Sequence, residues 1–390
     1  MELSQKDIRF LNFGYFLENS PAVDLCFNQN KELFKLTYNE ALNEASKLWQ
    51  STFLDQYLKT QEMDQVVPLS GGIDSRALLF ELLKYKEAKD INTFTFGIPG
   101  SLDYEIGNSV AESLGTNHRK ILCDETILSI ENAKNFNNLI GNSCNLFLTP
   151  PIDEVTSYKS MNIWSGTVID VFFGRHFHES ETRDLDKLAD NYINENILTK
   201  SFKDMINKDS LIQVMNIPDV KGCSLEHTAD LANRQSKFVA KHLLYEGYNF
   251  STMLGKEITE FALSINQEYH KKQKLYIDMM LKIYPTFDNY PCKTSFGCNL
   301  SASKYRVASQ RLNIKIKKKF FKSFKDPYVN YLDWDKECSY ILMSKLSESI
   351  GEDELSEMTR SLIELNKSAQ VYAMDILNLI SLRIIKYGQE

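Results

Sequence analysis

Hydrophobic residues recur along the first half of the chain in short runs separated by helical spacings, and in the second half mostly at helical spacings alone. Thr37-x-x-Glu40-Ala41 has the form of a capping box and predicts a helix through Leu48 to about Leu58. Val66-Val67-Pro68-Leu69 reads as a short buried strand, and Arg76 to Leu83 is apolar at helical spacing. Asn92 to Gly97 reads as a second strand, Tyr104 to Leu114 as a helix closed by Gly115, and His118 to Leu122 as a third strand. That order predicts an α/β fold with a parallel sheet flanked by helices. Residues 8–36, broken by Glu18-Asn19-Ser20-Pro21 and Asn28-Gln29-Asn30, predict a few strands or an irregular lead-in. Beyond about residue 180, amphipathic stretches at 183–215, 228–246, 256–284 and 353–386 predict a mostly helical C-terminal half. The expected division is a lead-in over 1–36, a main domain over 37–310, and a helical extension over 311–390 packed on it.

Composition narrows the class. With 390 residues, 43% hydrophobic and 12% aromatic, the chain can fill a substantial core, which argues against intrinsic disorder. A net charge of −7 argues against non-specific nucleic-acid binding, which needs a cationic surface. No run approaches the roughly 20 apolar residues that span a bilayer, and the first residues lack the pattern of a secretory signal. Seven scattered cysteines, with no CxxC, suit a reducing compartment. The expectation is a cytoplasmic protein with no membrane partner.

Between the first strand and its helix lies Ser70-Gly71-Gly72-Ile73-Asp74-Ser75. Glycines let backbone approach a phosphate, and a helix start offers unpaired N–H groups at the positive end of its dipole. The Ser70 and Ser75 hydroxyls can donate to phosphate oxygens, and Asp74 suits Mg²⁺, which prefers hard oxygen ligands. No Lys-Ser/Thr follows at Walker spacing. The alternative is a plain strand-to-helix turn capped by Ser or Asp.

Ser70 to Ser75 resembles the pyrophosphate loop of the N-type ATP pyrophosphatases. The wider pattern, Leu69 to Arg76 with Thr95-Phe96-Gly97 and Ala111-x-x-Leu114-Gly115-Thr116-x-His118, resembles the synthetase domain of glutamine-dependent asparagine synthetases. That group includes β-lactam synthetase, carbapenam synthetase and lasso-peptide cyclases. Ser165-Gly166-Thr167-Val168-Ile169-Asp170-Val171-Phe172-Phe173-Gly174 is similar to the family's S-G-x-G-x-D-x-x-F-G, and Glu260 to Ile265 to its "EFALSLP" stretch. Lys274-Leu275-Tyr276 and Pro291-Cys292-Lys293-Thr294 follow at about the family's distances, so the likeness spans roughly residues 35 to 300.

The resemblance implies an adenine-nucleotide alpha-hydrolase-like (PP-loop) fold, ATP and Mg²⁺, and a ligase that adenylates a carboxylate and releases pyrophosphate. It implies that adenosine lies against Leu69, Phe96 and Gly97 with Ser165 and Gly166 below, and that Ser70, Gly71, Gly72 and Ser75 hold the phosphates. Asp74 and Asp170 would bind the metal, and Lys293 would stabilise the departing charge. The alternatives are a helix N-cap for Asp170 and a solvated surface lysine for Lys293.

Two departures shape the expectation. Thr167 stands where asparagine synthetases have Glu and β-lactam synthetase has Tyr; a hydroxyl that does not titrate near neutrality is a poor general base, and Val168 and Ile169 replace small family residues. Position 2 is Glu, the first cysteine is Cys26, and roughly 60 residues before the loop are too few for a glutaminase domain. The expected partners are a small-molecule or peptide carboxylate and ammonia or an amine, with a separate glutaminase as one source. The alternatives are a lasso-type peptide macrocyclase, an RNA-modifying pyrophosphatase, or a non-catalytic ATP-binding regulatory subunit.

Two further patterns are weighed. His176 and His178, with Glu179 and Glu181, suggest either a zinc pair or polar residues at the mouth of a cleft that touch substrate; Arg175 is a second candidate for such a contact. Residues 315–325 combine lysines with phenylalanines, and are read as a solvated helix face with its Phe residues turned inward or as a dock for an acidic partner, a leader peptide or nucleic acid.

Overall fold

The computed structural model describes residues 3–124, 127–148, 151–176, 183–199, 201–242, 244–321, 351–366 and 373–387, with isolated positions between 324 and 349. Helix α1 (Gln5–Phe13) is opened by Ser4 and Asp7 in a complete capping box and closed by Gly14 at φ 76°. This corrects the expectation of strands here: the box governs the first turns, and residues 14–36 are irregular apart from one 3₁₀ turn and a bridge from Tyr15 to Cys144. Helix α2 (Tyr38–Thr60) starts as predicted, with Thr37 and Glu40 capping each other.

The alternation that follows is β1 (Gln65–Pro68), α3 (Ile73–Leu82), β2 (Ile91–Gly97), α4 (Leu102–Leu114) and β3 (Asn117–Leu122). Then come α5 (Ile130–Ile140), α6 (Ile152–Thr156), β4 (Asn162–Ser165) and α7 (Ile169–Phe172). With β5 (Asn249–Thr252) these strands make a five-stranded sheet in the order β3-β2-β1-β4-β5, every neighbouring pair parallel. The predicted α/β class is what the chain adopts.

Alternation along each strand sends side chains to opposite faces. Val67 and Trp164 join one buried cluster with Trp49 and Phe53 of α2, where Phe53 and Trp164 stack 4.1 Å apart. Val66, Phe94 and Ile163 join the other, against Phe136 of α5. Buried Gln65 stitches the two inner strands: its carbonyl accepts from Asn162 at 3.0 Å and from the Trp164 indole at 2.7 Å.

The second half is helical but more broken than its periodicity predicts. Residues 183–215 divide into α8 (Leu185–Asn196) and α9 (Lys208–Val214), because Asp184 and Asn207 each cap a new start. Next, α10 (Leu225–Ala229) runs into a π-helix, Asp230–Val239. Helices α11 (Lys256–Ser264) and α12 (Lys274–Ile283) are separated by a 3₁₀ segment in which Lys272 and Gln273 have positive φ. A two-stranded ladder pairs β6 (Pro291–Cys292) with β7 (Cys298–Asn299). Helix α13 (Lys304–Phe320) buries Ile314, while Phe320 and Phe321 are 69% and 59% exposed. This corrects the inward-facing reading. Ile314 faces the body, and Phe320, six positions on, falls about a third of a turn away; Lys322, Ser323 and Lys325 lie outside the described residues. No described helix is long and apolar enough to cross a membrane.

Helices α14 (Glu354–Asn366) and α15 (Ala373–Tyr387) end the chain, and α15 packs on α1. Asn378 joins the two ends: its amide donates to the Leu11 carbonyl at 2.8 Å and its own carbonyl accepts from Asn145. Lys386 pairs with Asp7 at 2.7 Å. Asn378→Ala leaves two buried polar groups without partners, so urea unfolding is expected to show a loss of about 2–4 kcal/mol.

Candidate functional site

The sheet order reverses between β1 and β4, since β2 and β3 lie to one side of β1 and β5 lies beyond β4. Parallel sheets open a crevice beyond the strand ends at such a point. Here it is a cleft of about 410 Å³ lined by Leu69, Ser70, Asp74 and Ser75 from the β1 side and Ser165, Gly166, Thr167 and Asp170 from the β4 side. Phe94 and Phe96 of β2 supply part of its apolar wall.

The loop is held from several directions. Leu69 N–H extends the pairing to β2 by donating to the Phe94 carbonyl at 2.8 Å. Ser75 Oγ then accepts from Ser70 N–H at 3.1 Å, and Ser70 Oγ from Gly72 N–H at 3.2 Å. Gly71 N–H donates to Asp103 Oδ1 at 3.1 Å, while its carbonyl accepts from Lys293 N–H at 2.9 Å. A Cβ on Gly71 would stand 2.8 Å from the Leu102 carbonyl oxygen, so this turn passes against the start of α4 only as glycine. Arg76, fully buried, donates to the Gly72 carbonyl at 2.7 Å and to the Pro291 carbonyl at 2.9 Å and props the loop from behind. Oxygen acceptors on these N–H groups, an anionic one on Gly71, mark the loop as suited to an anion.

Asp74 sits in the first turn of α3 and Asp170 in the first turn of α7. Asp170 is not the N-cap of α7, which is Val168, and that removes the capping alternative. Gly166 lets the two elements meet: a Cβ there would lie 2.5 Å from the Asp74 Cβ. Val168 adopts φ 69°, a left-handed conformation costly for a β-branched residue, at the position where the family pattern has glycine. Asp74 keeps some exposed surface at the cleft, yet its carboxyl is enclosed by protein, and burial followed by the Asp170 charge raises its pKa well above the ordinary carboxylate range. Against these, the Tyr276 hydroxyl donates to Asp74 Oδ1 at 2.5 Å and Arg175 contributes its charge. Arg175 also pairs with Asp170 Oδ2 at 2.7 Å. A carboxyl whose ionisation is opposed by burial and by a second carboxylate, beside a loop of this type, is a donor set whose chemistry fits Mg²⁺.

Other candidates are placed less centrally. Gly71, Gly72 and Gly97 do not line the cleft. Gly97, at the end of β2, accepts from Cys123 N–H at 2.9 Å. Lys293 is also off the lining: its ammonium pairs with Asp103, the carboxylate that accepts from Gly71 N–H, and both side chains are 25% exposed. That is partial burial rather than a solvated surface lysine. Thr167 lines the cleft, and among the described residues its buried Oγ1 has no hydrogen-bond partner. Phe172 and Phe173 are buried packing residues. His176 Nδ1 bonds to Asp230; His178, Glu179 and Glu181 lie outside the described residues, among which no group of three His, Cys, Asp or Glu is placed to hold an ion.

Several contributors carry no local motif: Trp164 and Ile163 from β4, Val155 from α6, Arg234 and Gln235 from the π-helix, Tyr245, and Phe250 from β5. Asp103 accepts from the loop at Gly71 N–H and Tyr276 donates to Asp74, and neither lines the cleft.

The family model for asparagine synthase matches residues 60–131. The matched stretch spans β1, the loop, α3, β2, α4 and β3, so this part of the chain is asparagine-synthetase-like and the parallel sheet is of the PP-loop type. The match supports an ATP-dependent amide-bond ligase in general. No curated protein matches the sequence.

Because the Asp74 carboxyl titrates higher in the folded chain than in the unfolded one, its contribution to stability is full at acid pH and is lost as pH rises through the folded value. Asp74→Asn keeps an acceptor for Tyr276 and removes the charge. It is expected to raise the unfolding free energy of the ligand-free protein, measured in urea at neutral pH, by about 1–2 kcal/mol, and to leave it unchanged below pH ~3. Gly166→Ala forces the β4 loop off Asp74 and should cost about 1–3 kcal/mol in the same assay.

Proposed function

We propose that the chain is an AMP- and pyrophosphate-forming ligase: it adenylates a carboxylate with ATP and passes the acyl group to ammonia or an amine. The observation that carries this reading is the convergence of the 70–75 loop, Asp74 and Asp170 on one cleft with an apolar wall. The wall of Phe94, Phe96, Leu69 and Ile163 suits an adenine ring, and the loop suits the β- and γ-phosphates.

In this reading Asp74 and Asp170 hold Mg²⁺, which supplies charge neutralisation on the polyphosphate. The protein's own work is positional. Ser70 and Ser75 hydroxyls, once released from each other, donate to phosphate oxygens; Arg175 keeps Asp170 turned into the cleft. Lys293 pairs with Asp103, which accepts from Gly71 N–H, so the lysine stabilises departing pyrophosphate only if it exchanges Asp103 for phosphate. The Thr167 hydroxyl, buried and unpartnered on the cleft wall, offers the acyl substrate a hydrogen bond rather than a base. The nitrogen comes from free ammonia, a partner glutaminase or an amine-bearing substrate, which includes the macrocyclase alternative.

Nucleotide products test the reading directly. With ATP, Mg²⁺, ammonium and a panel of carboxylic acids, chromatography is expected to show AMP and pyrophosphate in equal amounts with at least one acid. Asp170→Asn should lower that rate about 10²-fold or more. ADP and phosphate as products would contradict it.

A further inference from the structure

The cleft holds a second polar cluster that the nucleotide loop does not use. His176 follows α7 and lines the same cleft as Thr167, about one-third exposed. Its Nδ1 lies 3.0 Å from Oδ2 of Asp230, the first residue of the π-helix, whose side chain is almost fully buried. Gln235 lines the same wall and donates to the same Asp230 oxygen at 2.9 Å. The Gln235 amide nitrogen also lies 3.3 Å from Nδ1, but it is a donor already given to Asp230 at 2.9 Å; the shorter contact, to the carboxylate, puts the proton on Nδ1 and leaves Nε2 with its lone pair. Among the described residues nothing bonds to that Nε2. Asp230 stays anionic because the His176 and Gln235 hydrogen bonds and the Arg234 charge outweigh its burial, holding its pKa below the usual value. An imidazole lining a cleft, oriented from behind by a buried carboxylate, is the arrangement of a general base. A π-helix carrying two of the three members is also where functional distortions concentrate.

We propose that His176, positioned by Asp230 and Gln235, is the proton acceptor for the attacking amine, taking the role that Thr167 cannot fill. The proposal rests on the ligase reading above. The amine nitrogen attacks the acyl carbon of the adenylate, the C–N bond forms, and the bond from that carbon to the phosphate oxygen breaks. AMP leaves with the electron pair, and the proton lost by nitrogen goes to His176 Nε2. The resulting imidazolium is stabilised by Asp230 and returns its proton to solvent. Thr167 Oγ1 is left to hold the substrate.

Two half-reactions separate this proposal from the reading it rests on. Isotope exchange between pyrophosphate and ATP, run with the panel of carboxylic acids, reports adenylation without an amine. Capture is measured as amide formed from ammonium and as hydroxamate formed from hydroxylamine, which is unprotonated at neutral pH and a strong nucleophile. His176→Gln is expected to keep exchange within about threefold of wild type and to lose ~10²-fold or more of ammonia capture. Hydroxylamine should restore capture, and so should alkaline buffer, where free ammonia is plentiful. Asp230→Asn, which leaves the imidazole without its orienting carboxylate, should lower ammonia capture about 10-fold or more with exchange within about threefold of wild type, and hydroxylamine should restore it.

Ammonia capture unchanged in His176→Gln would overturn the proposal and leave the ligase reading standing. Equal loss of exchange and capture would also overturn it, by making His176 a binding or structural residue. A wild type that neither exchanges nor releases pyrophosphate with any acid would remove the ligase reading and this proposal with it.

Discussion

Two carboxylates from different strand ends face one another across a cleft, and much of the structure serves to keep them there. Asp74 and Asp170 repel when both are ionised, and Asp74 is enclosed by protein as well. Left alone, such a pair would separate or one member would take a proton. The fold resists separation through the glycine at 166, the Tyr276 hydroxyl on Asp74 and the Arg175 guanidinium on Asp170. In the proposed reading, this local cost to folding stability is what a bound divalent cation would relieve.

The same economy appears in the loop. Its amide groups are not idle in the ligand-free protein: Ser75, Asp103 and Ser70 side chains accept from Ser70, Gly71 and Gly72 N–H respectively. Polyphosphate would replace protein acceptors with better ones instead of filling a vacuum. These internal bonds keep the loop ordered without a ligand, and the Asp103 carboxylate ties Lys293 to the loop.

Legibility in the sequence followed the range of each interaction. The α2 start at Thr37, the stop at Gly115 and the strand-loop-helix around Ser70 are written in neighbouring residues, and they were readable. Helix α1 carries an equally local signal, Ser4 with Asp7, but the turn-rich residues after Phe13 masked it. The breaks at Asn207 and at Lys272 were hidden because amphipathic spacing continues across them. Phe320 shows the reverse: its chemistry suggested burial, and the rotation of α13 set by Ile314 exposes it. At the site, Asp74, Asp170, Ser70, Ser75, Ser165 and Thr167 lay in patterns that could be read. Arg234, Gln235, Asp230 and Tyr245 did not, since they reach the cleft only because the chain returns to it from far away. The left-handed Val168 was visible as an unexpected letter, and its strain only as a dihedral angle.

A crystal structure of the protein with a non-hydrolysable ATP analogue and Mn²⁺ tests the central claim most directly, because the anomalous signal locates the ion without interpretation. The expected result is a manganese peak bridging Asp74 and Asp170, with the β- and γ-phosphates on residues 70–75 and the adenine against Phe94 and Phe96. A nucleotide bound elsewhere, or phosphates in this cleft with the metal on neither carboxylate, would contradict it.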